Sequence, residues 1–573
     1  MFCFKRILIL SLFVMLFPVL GCDSNIASSD GDTNVDGDDS NADGDKDADI
    51  PEEDVTDDDT TVDGDTENES DEEILTIQLP FKLDRPDNGD PIPPSELSDF
   101  SERLAGLLKK FSWFDYILRN SHGVDASTGK PPYAQWWSDV DAIKEGDTVT
   151  FMHRDLPEHG GHNIGTNQYK ILASSIAASL LSNDPTINQL TALYCAGVSA
   201  TMKGMVHDEN DPIPHLMARN VIAFNHSYTT HEGRKKVVNY EQWYHPYSRW
   251  NCERFEYTDN PYWGTMWVTN VRSKDDVGGL LRNTAMIEHA ANLSLDEGVR
   301  QACGETLELL RGFCSDIVDS DYYIRTKDDN GEPFIFSLKE KPEGMRISTD
   351  LDNYITFDSL IPDSECNAKR ANDWIGKRDG SLTDCGNGSQ TDYEKISLYN
   401  NYPNANFYRS YHMANAYQSL LHGDNESAKL LLQGMVERFE EHMDYDLEDI
   451  PVSPDRWHMD LASALIRAAA QGYPLTSREI RLIHKYYERA MDFHKEWPYW
   501  NLWDESVPDG THAIKPPDND GSQGDERQYW IRIEDMSALI EYCWSPYKNP
   551  DGRSPVDCEI MGNPAKWLSA DLR

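Results

Sequence analysis

The chain has 573 residues, enough to bury a large core and longer than a usual single domain, and it carries 100 acidic against 52 basic side chains for a formal net charge of −48. So acidic a chain should repel nucleic acid and anionic lipid, which are bound chiefly through Lys and Arg, so its partners are expected among neutral, zwitterionic or cationic molecules. The sequence holds no Gly-rich phosphate loop, Gly-x-Ser-x-Gly elbow or dinucleotide fingerprint, which leaves a kinase, a common esterase and a dehydrogenase without support.

At the N-terminus Lys5 and Arg6 precede an apolar run from Ile7 to Val19, and Leu20-Gly21 leads into Cys22. A short positive start, a short apolar core and small residues before a cut site make a secretory leader rather than a membrane span. With Val19-Leu20-Gly21 in front of Cys22, this segment resembles the lipobox of bacterial lipoproteins. The resemblance implies removal of residues 1–21, lipidation of Cys22, and a place in the cell envelope on the exported side of a bacterial membrane. A second apolar segment of spanning length does not follow, so the lipid is the expected membrane attachment.

Residues 22–75 read as a tether. Between Asp23 and Glu73 stand 23 Asp or Glu against the single Lys46, with no aromatic residue. Such a segment cannot bury enough apolar surface to offset its ordering entropy, and it is expected to be disordered. As a random coil about fifty residues reach roughly 40 Å, and charge repulsion extends them further. Repeated Asp-Gly-Asp triplets (30–32, 36–38, 43–45, 63–65) raise calcium, but they lack the full ligand spacing and closing Glu of a calcium loop.

From residue 76 to 573 the apolar period is that of helices. After Ser95 to Leu118, helices pair across short polar breaks: Asn163 to Ser182 with Pro185 to Val206, Lys274 to Leu293 with Asp296 to Asp319, Asn404 to His422 with Glu426 to His442, and Asp455 to Gln471 with Ser477 to Lys495. Ser294-Leu295-Asp296-Glu297 and Thr476-Ser477-Arg478-Glu479 have the pattern of capping boxes. Pro212 to Ile222 and Trp530 to Tyr542 complete the predicted helices. Strand signals are minor: Ile74 to Leu79, Thr148 to Met152 and Phe334 to Ser337. Setting aside the tether's −22 and the leader's +2, this body keeps a charge of about −28.

Cysteine use agrees with export. Apart from Cys3 and Cys22 there are eight cysteines, which allows up to four disulfides. Cys366 with Cys385, and Cys543 with Cys558, bracket short polar segments and are the favoured pairs. Cys303 and Cys314 lie about 16 Å apart along one predicted helix, too far to bond to each other. No CxxC or CxxH spacing is present, so a cysteine zinc site is not expected.

Serial helical hairpins of this length resemble the six-hairpin (α/α) toroid of glycoside hydrolases and polysaccharide lyases. Two segments carry the likeness: Arg272-Ser273-Lys274-Asp275-Asp276-Val277-Gly278-Gly279, opening an inner-type helix, and Asp455-Arg456-Trp457-His458-Met459-Asp460, opening another, with Trp500-Asn501-Leu502-Trp503-Asp504 after its partner. The likeness covers some 300 residues and includes no complete catalytic signature. It implies an all-α toroid with minor β segments whose inner helices line a cleft.

Asp275 and Asp276 at a helix start are explained by capping alone, yet in a toroid that helix start faces the cleft. Asp460 differs, standing in the first turns of an apolar helix beside Trp457. Glycosidic cleavage typically uses two carboxylates about 5 to 9.5 Å apart, and Asp276 with Asp460 is the candidate pair. Substrate contacts are then expected from Arg272, Trp457 and Trp503. The loop from His153 to Asn163 adds His159 and His162, which could touch substrate or hold zinc, although their spacing matches no standard zinc motif. In Tyr408-Arg409-Ser410-Tyr411-His412, Tyr411 or His412 could be the base of a lyase with Arg409 on a uronate carboxylate, but helical packing explains the same spacing. No cofactor is predicted. Two classes stay open: a glycan-active enzyme, hydrolase before lyase, and a non-catalytic surface protein that binds glycan or protein.

Overall fold

A computed structural model describes residues 77–110, 140–153, 168–223, 226–229, 235–242, 254–270, 280–344, 413–432, 456–495, 506–511, 537–549 and 553–561, less a few single positions within them. All belong to one compact unit, residues 75–382 and 389–573; the leader, the tether, Cys22, Cys366 and Cys385 lie outside them. Among the described residues helix far outweighs strand, so the body is mostly α.

The helices are α1 (Pro94–Lys110), α2 (Gln168–Ser182), α3 (Pro185–Met202), α4 (Thr284–Leu293), α5 (Glu297–Asp319), α6 (Arg456–Ala470), α7 (Ser477–Lys495), α8 (Ala538–Trp544) and the single turn α9 (Cys558–Met561). Three of the expected pairs recur as α2–α3, α4–α5 and α6–α7, and each packs within itself. Helical residues at 413–421 and 425–432 fall where the fourth pair was expected. Between hairpins, α3 packs on α5 and α2 on α4, while α8 packs on both α2 and α6.

Local chemistry explains the boundaries. The α3 start takes Pro185 at its first position, and the Asp184 carboxylate accepts from the Thr186 and Ile187 amides at 2.8 and 3.2 Å. At α7 the predicted capping box forms: the Thr476 amide donates to Glu479 Oε2 at 2.7 Å and the Glu479 amide to Thr476 Oγ1 at 3.2 Å. The box read at Ser294 does not form. Asp296 is the N-cap of α5 instead, accepting from the Val299 amide at 2.9 Å, because a carboxylate two residues later serves the free amides directly.

The β content exceeds expectation. One sheet has the order β1 (Val140–Glu145), β2 (Thr148–His153), β5 (Lys235–Gln242), β4 (His226–Thr229), with β2 and β5 parallel from Thr148 opposite Val237 to His153 opposite Gln242. A second has the order β3 (Asn220–Ala223), β7 (Gly264–Thr269), β6 (Arg254–Asn260), and β8 (Arg325–Lys327) pairs with β9 (Pro333–Ile335). The helix expected from Pro212 to Ile222 is a turn that runs into β3. Asp211 draws the His207 and Ile213 amides onto its carboxylate at 3.2 and 2.9 Å, and Pro214 has no amide to offer a helix. Ile77 and Leu79 belong to no strand; the Ile77 amide donates to the Pro546 carbonyl at 2.7 Å.

Residues 77–93 are bound onto the α6–α7 turn. Gly472 leaves α6 at φ +87°, and a Cβ there would stand 2.1 Å from Leu79 Cδ1, so only glycine admits the leucine. Among the described residues two disulfides form: Cys195 of α3 to Cys303 of α5, and Cys543 of α8 to Cys558 of α9. The second is one of the two favoured pairs, the other lying outside the described residues, and Cys314, with no bond to Cys303, is a buried free thiol.

Candidate functional site

Where α2, α4, α6 and α8 meet the helix at 413–421, their side chains enclose a small cavity. Measured as the space open to water centres it is about 30 Å³, room for about two waters. Ala173, Ala285, Met286 and Trp544 supply apolar wall, while Arg282, Asn283, Tyr417, Arg467, Gln471 and Glu541 bring polar atoms. Ala414 is its half-exposed member, and Arg282 and Arg467 are 7% and 5% exposed.

Glu541 is the only carboxylate lining the cavity among the described residues, and it is fully engaged. Arg467 Nε donates to Glu541 Oε2 and Nη2 to Oε1, both at 2.9 Å, and Arg467 Nη1 also donates to Ser463 Oγ. Ser174 Oγ of α2 donates to Glu541 Oε1 at 2.8 Å and accepts from Ser537 Oγ at 2.8 Å. One buried charge pair thus joins α2, α6 and α8. Two-point pairing of this geometry compensates the desolvation of both ions.

Beside the cavity lies an aromatic cluster. The Tyr417 hydroxyl and His289 Nδ1 are 3.0 Å apart, and Trp544 stands edge-on to both rings, with centroids 5.0 Å from His289 and 6.0 Å from Tyr417. Burial pushes His289 down to about 4 and raises Tyr417 above the usual phenol range, so the pair is neutral at physiological pH. Next in the chain, Glu288 Oε2 accepts from Gln418 Nε2 at 2.5 Å and meets His422 Nε2 at 2.9 Å. Burial acts to raise Glu288, but the His422 contact and the Gln418 bond hold its carboxyl below the usual range. The same contact raises His422.

The predicted site residues stand apart from this cavity or beyond what is described. Arg272, Asp275 and Asp276 lie in 271–279, His159 and His162 in 154–167, Arg409, Tyr411 and His412 in 345–412, and Trp503 in 496–505, all outside the described residues. Trp457 and Asp460 belong to α6, though only their backbone is described. Asp460 precedes Ala470 by ten residues, about 15 Å of helix rise, so it lies toward the other end of α6 from the cavity. Among the described residues no three His, Cys, Asp or Glu side chains are grouped to hold a metal, and no helix is long and apolar enough to cross a membrane.

Arg467 and Glu541 were missed although the sequence carried a signal. Each is the only charged residue in an otherwise apolar stretch of helix, 461–470 and 538–544, and a buried charge requires a partner. No family model, curated protein or solved structure matches the chain.

Proposed function

We propose that this chain is a lipid-anchored cell-envelope protein whose helical body, a toroid in its full form, binds a glycan at the cavity rather than cleaving it. The observation that carries this reading is the bidentate Arg467–Glu541 pair. A carboxylate whose oxygens are committed to two guanidinium N–H groups and a serine is a poor nucleophile, whereas glycosidic cleavage typically needs two carboxylates of divided role. What the lining offers instead is an aromatic wall with hydrogen-bonding groups around it, the composition of a binding pocket. Its size admits one substituent of a sugar, so the rest of a glycan would lie outside it. Lipidation at Cys22, with the acidic segment as spacer, would present this surface away from the membrane.

A hydrolase is the second reading, and one observation favours it. Helix α6 starts at Arg456, so Trp457 and Asp460, three residues apart, share one helical face. An aromatic platform beside a carboxylate suits a sugar subsite, with Asp276 as the second carboxylate.

The test is incubation of the full chain with a panel of polysaccharides, followed by mass spectrometry of the products and assay of glycan retained on the protein. Retention without cleavage supports the binding reading. Products carrying an added water, lost in Asp276→Asn or Asp460→Asn, establish the hydrolase; products lacking that water establish a lyase and turn attention to Tyr411, His412 and Arg409.

A further inference from the structure

We infer that Asn88 is a site of spontaneous covalent modification, at which the Gly89 amide closes on the Asn88 carboxamide and alters the segment bound to the α6–α7 turn. The reaction needs water alone and is independent of the cavity.

An asparagine followed by glycine is the pairing most open to this closure, because a residue without Cβ leaves its amide nitrogen uncovered and its backbone free to turn. The chain has three such pairs, Asn88-Gly89, Asn330-Gly331 and Asn387-Gly388, of which the last lies outside the described residues. Asn88 and Asn330 have nearly the same flanks, Asp before and Asp or Glu after Gly, so local sequence does not distinguish them. Structure does. At Asn330 both reacting groups are engaged: the Gly331 amide donates to the Asp328 carbonyl at 3.1 Å, and Asn330 Nδ2 donates to Asp329 Oδ1 at 2.9 Å. The His207 ring also covers Gly331, where a Cβ would stand 2.2 Å from its Cδ2. Asn88 and Gly89 are exposed, and among the described residues neither the Asn88 carboxamide nor the Gly89 amide has a hydrogen-bond partner. The carboxamide there reaches the nitrogen without giving up a bond, whereas at Asn330 two bonds must break first.

Loss of the Gly89 N–H proton to water frees the nitrogen to attack Asn88 Cγ. The N–Cγ bond forms, the Cγ–Nδ2 bond breaks, and Nδ2 takes up a proton and departs as ammonia. Water then opens the resulting succinimide at either carbonyl. Rupture of the N–Cγ bond leaves aspartate, and rupture of the bond between that nitrogen and the main-chain carbonyl carbon leaves isoaspartate. In isoaspartate the chain runs through the former side chain and is one carbon longer, and the old carbonyl is a charged carboxylate. That carbonyl is the group that accepts from the Arg478 amide at 2.7 Å. Asp87 on one side serves Ser477 and the Asp90 carbonyl on the other serves Arg481, so the hold of the segment depends on the spacing that the reaction changes.

Ageing of the full folded chain in mildly alkaline buffer, sampled by peptide mass spectrometry, tests this. The peptide holding Asn88 should gain the mass of NH2 exchanged for OH at least about tenfold faster than the peptide holding Asn330, the factor expected when two ordinary hydrogen bonds must break before attack. In urea the two rates should converge, since structure alone separates them. Fragmentation should find isoaspartate beside aspartate at position 88, and the Arg478 amide should lose hydrogen-exchange protection as conversion proceeds. Asn88→Gln, whose longer side chain closes its ring far more slowly, should keep both its mass at that position and its Arg478 protection over the same period. Conversion at Asn88 no faster than at Asn330 in the folded chain overturns the inference, as does a difference of the same size that persists in urea. Conversion that leaves Arg478 protection unchanged overturns the effect assigned to the segment.

Discussion

Arg467 and Glu541, 74 positions apart, meet through two hydrogen bonds of 2.9 Å with side-chain exposures of 7% and 10%. Removing one partner strands a buried charge, whereas removing both leaves only packing to adjust. Arg467→Met should therefore cost about 3–5 kcal/mol, and the double variant Arg467→Met with Glu541→Met should recover most of the loss. Urea unfolding of the single and double variants checks this. A single variant as mild as the double would show that the pair does not fix α8 between α2 and α6.

The two disulfides close loops of different length, with sequence separations of 108 and 15. If their effect lies mainly in the unfolded chain, the longer loop matters more: about 4.7 kcal/mol for some hundred residues against about 3 for fifteen. Paired alanine variants of Cys195 with Cys303, and of Cys543 with Cys558, should differ in that order by denaturant midpoint at equal slope. The reverse order would place the benefit in native-state packing of α8 and α9.

His422 and His289 respond to acid in opposite senses. His422 is raised by its contact with Glu288, so its contribution is complete below the ordinary histidine value of 6.5 and is lost as pH rises through its folded value. Glu288 is lowered, so its contribution is complete above its ordinary 4.5 and is lost as pH falls further. The stability difference between wild type and His422→Gln should peak between pH 4.5 and 6.5 and shrink above it. His289 is buried neutral, pushed down to about 4 from 6.5, so the unfolded chain binds its proton first and stability falls across that interval. That loss amounts to about 3 kcal/mol and should vanish in His289→Phe, whatever the variant loses at neutral pH. Stability measured from pH 4 to 8 in the three proteins separates the two effects.

Much of the helical frame was readable because its signals are local. Pro185 after Asp184, the Thr476–Glu479 box and the short polar segment between Cys543 and Cys558 each declare themselves within a few residues. Of the two larger sheets only β2, expected at Thr148 to Met152 and found at Thr148–His153, does so. Lys235–Gln242 alternates poorly between apolar and polar residues, and its parallel partner Thr148–His153 lies nearly ninety positions earlier, so pairing at a distance decides that strand. The Cys195–Cys303 bond depends likewise on α3 packing against α5, which spacing alone does not reveal. The cavity was overlooked for a related reason. Its polar residues come from four separate stretches of chain (Arg282 with Asn283, Tyr417, Arg467 with Gln471, and Glu541), and no one stretch contains more than a fragment of it.

Arg85 joins the segment leaving the acidic region to the turn between α6 and α7. Its guanidinium donates to the Tyr473 hydroxyl at 2.7 Å and to the Glu479 carboxylate, while Asp87 accepts from the Ser477 amide at 2.8 Å and its hydroxyl at 2.9 Å. The Asn88 carbonyl accepts from the Arg478 amide at 2.7 Å, and Arg481 reaches the Asp90 and Pro91 carbonyls at 3.2 and 3.1 Å. Glu479 is thus shared by the helix cap and the segment, so loosening one should loosen the other. Arg85→Ala leaves a nearly buried Glu479 carboxylate with the Thr476 amide and the Tyr473 hydroxyl, which donates to Oε1 at 3.1 Å, and removes its cationic partner; it should destabilise by about 2 kcal/mol, and Arg85→Lys should restore part of the loss. Native-state hydrogen exchange gives the sharper test. In Arg85→Ala the Ile77 and Arg478 amides, which donate to Pro546 and Asn88, should lose protection together while amides of α3 and α5 keep theirs. Loss at Ile77 with Arg478 unchanged would mean that the segment is held at separate points and does not move as one clasp.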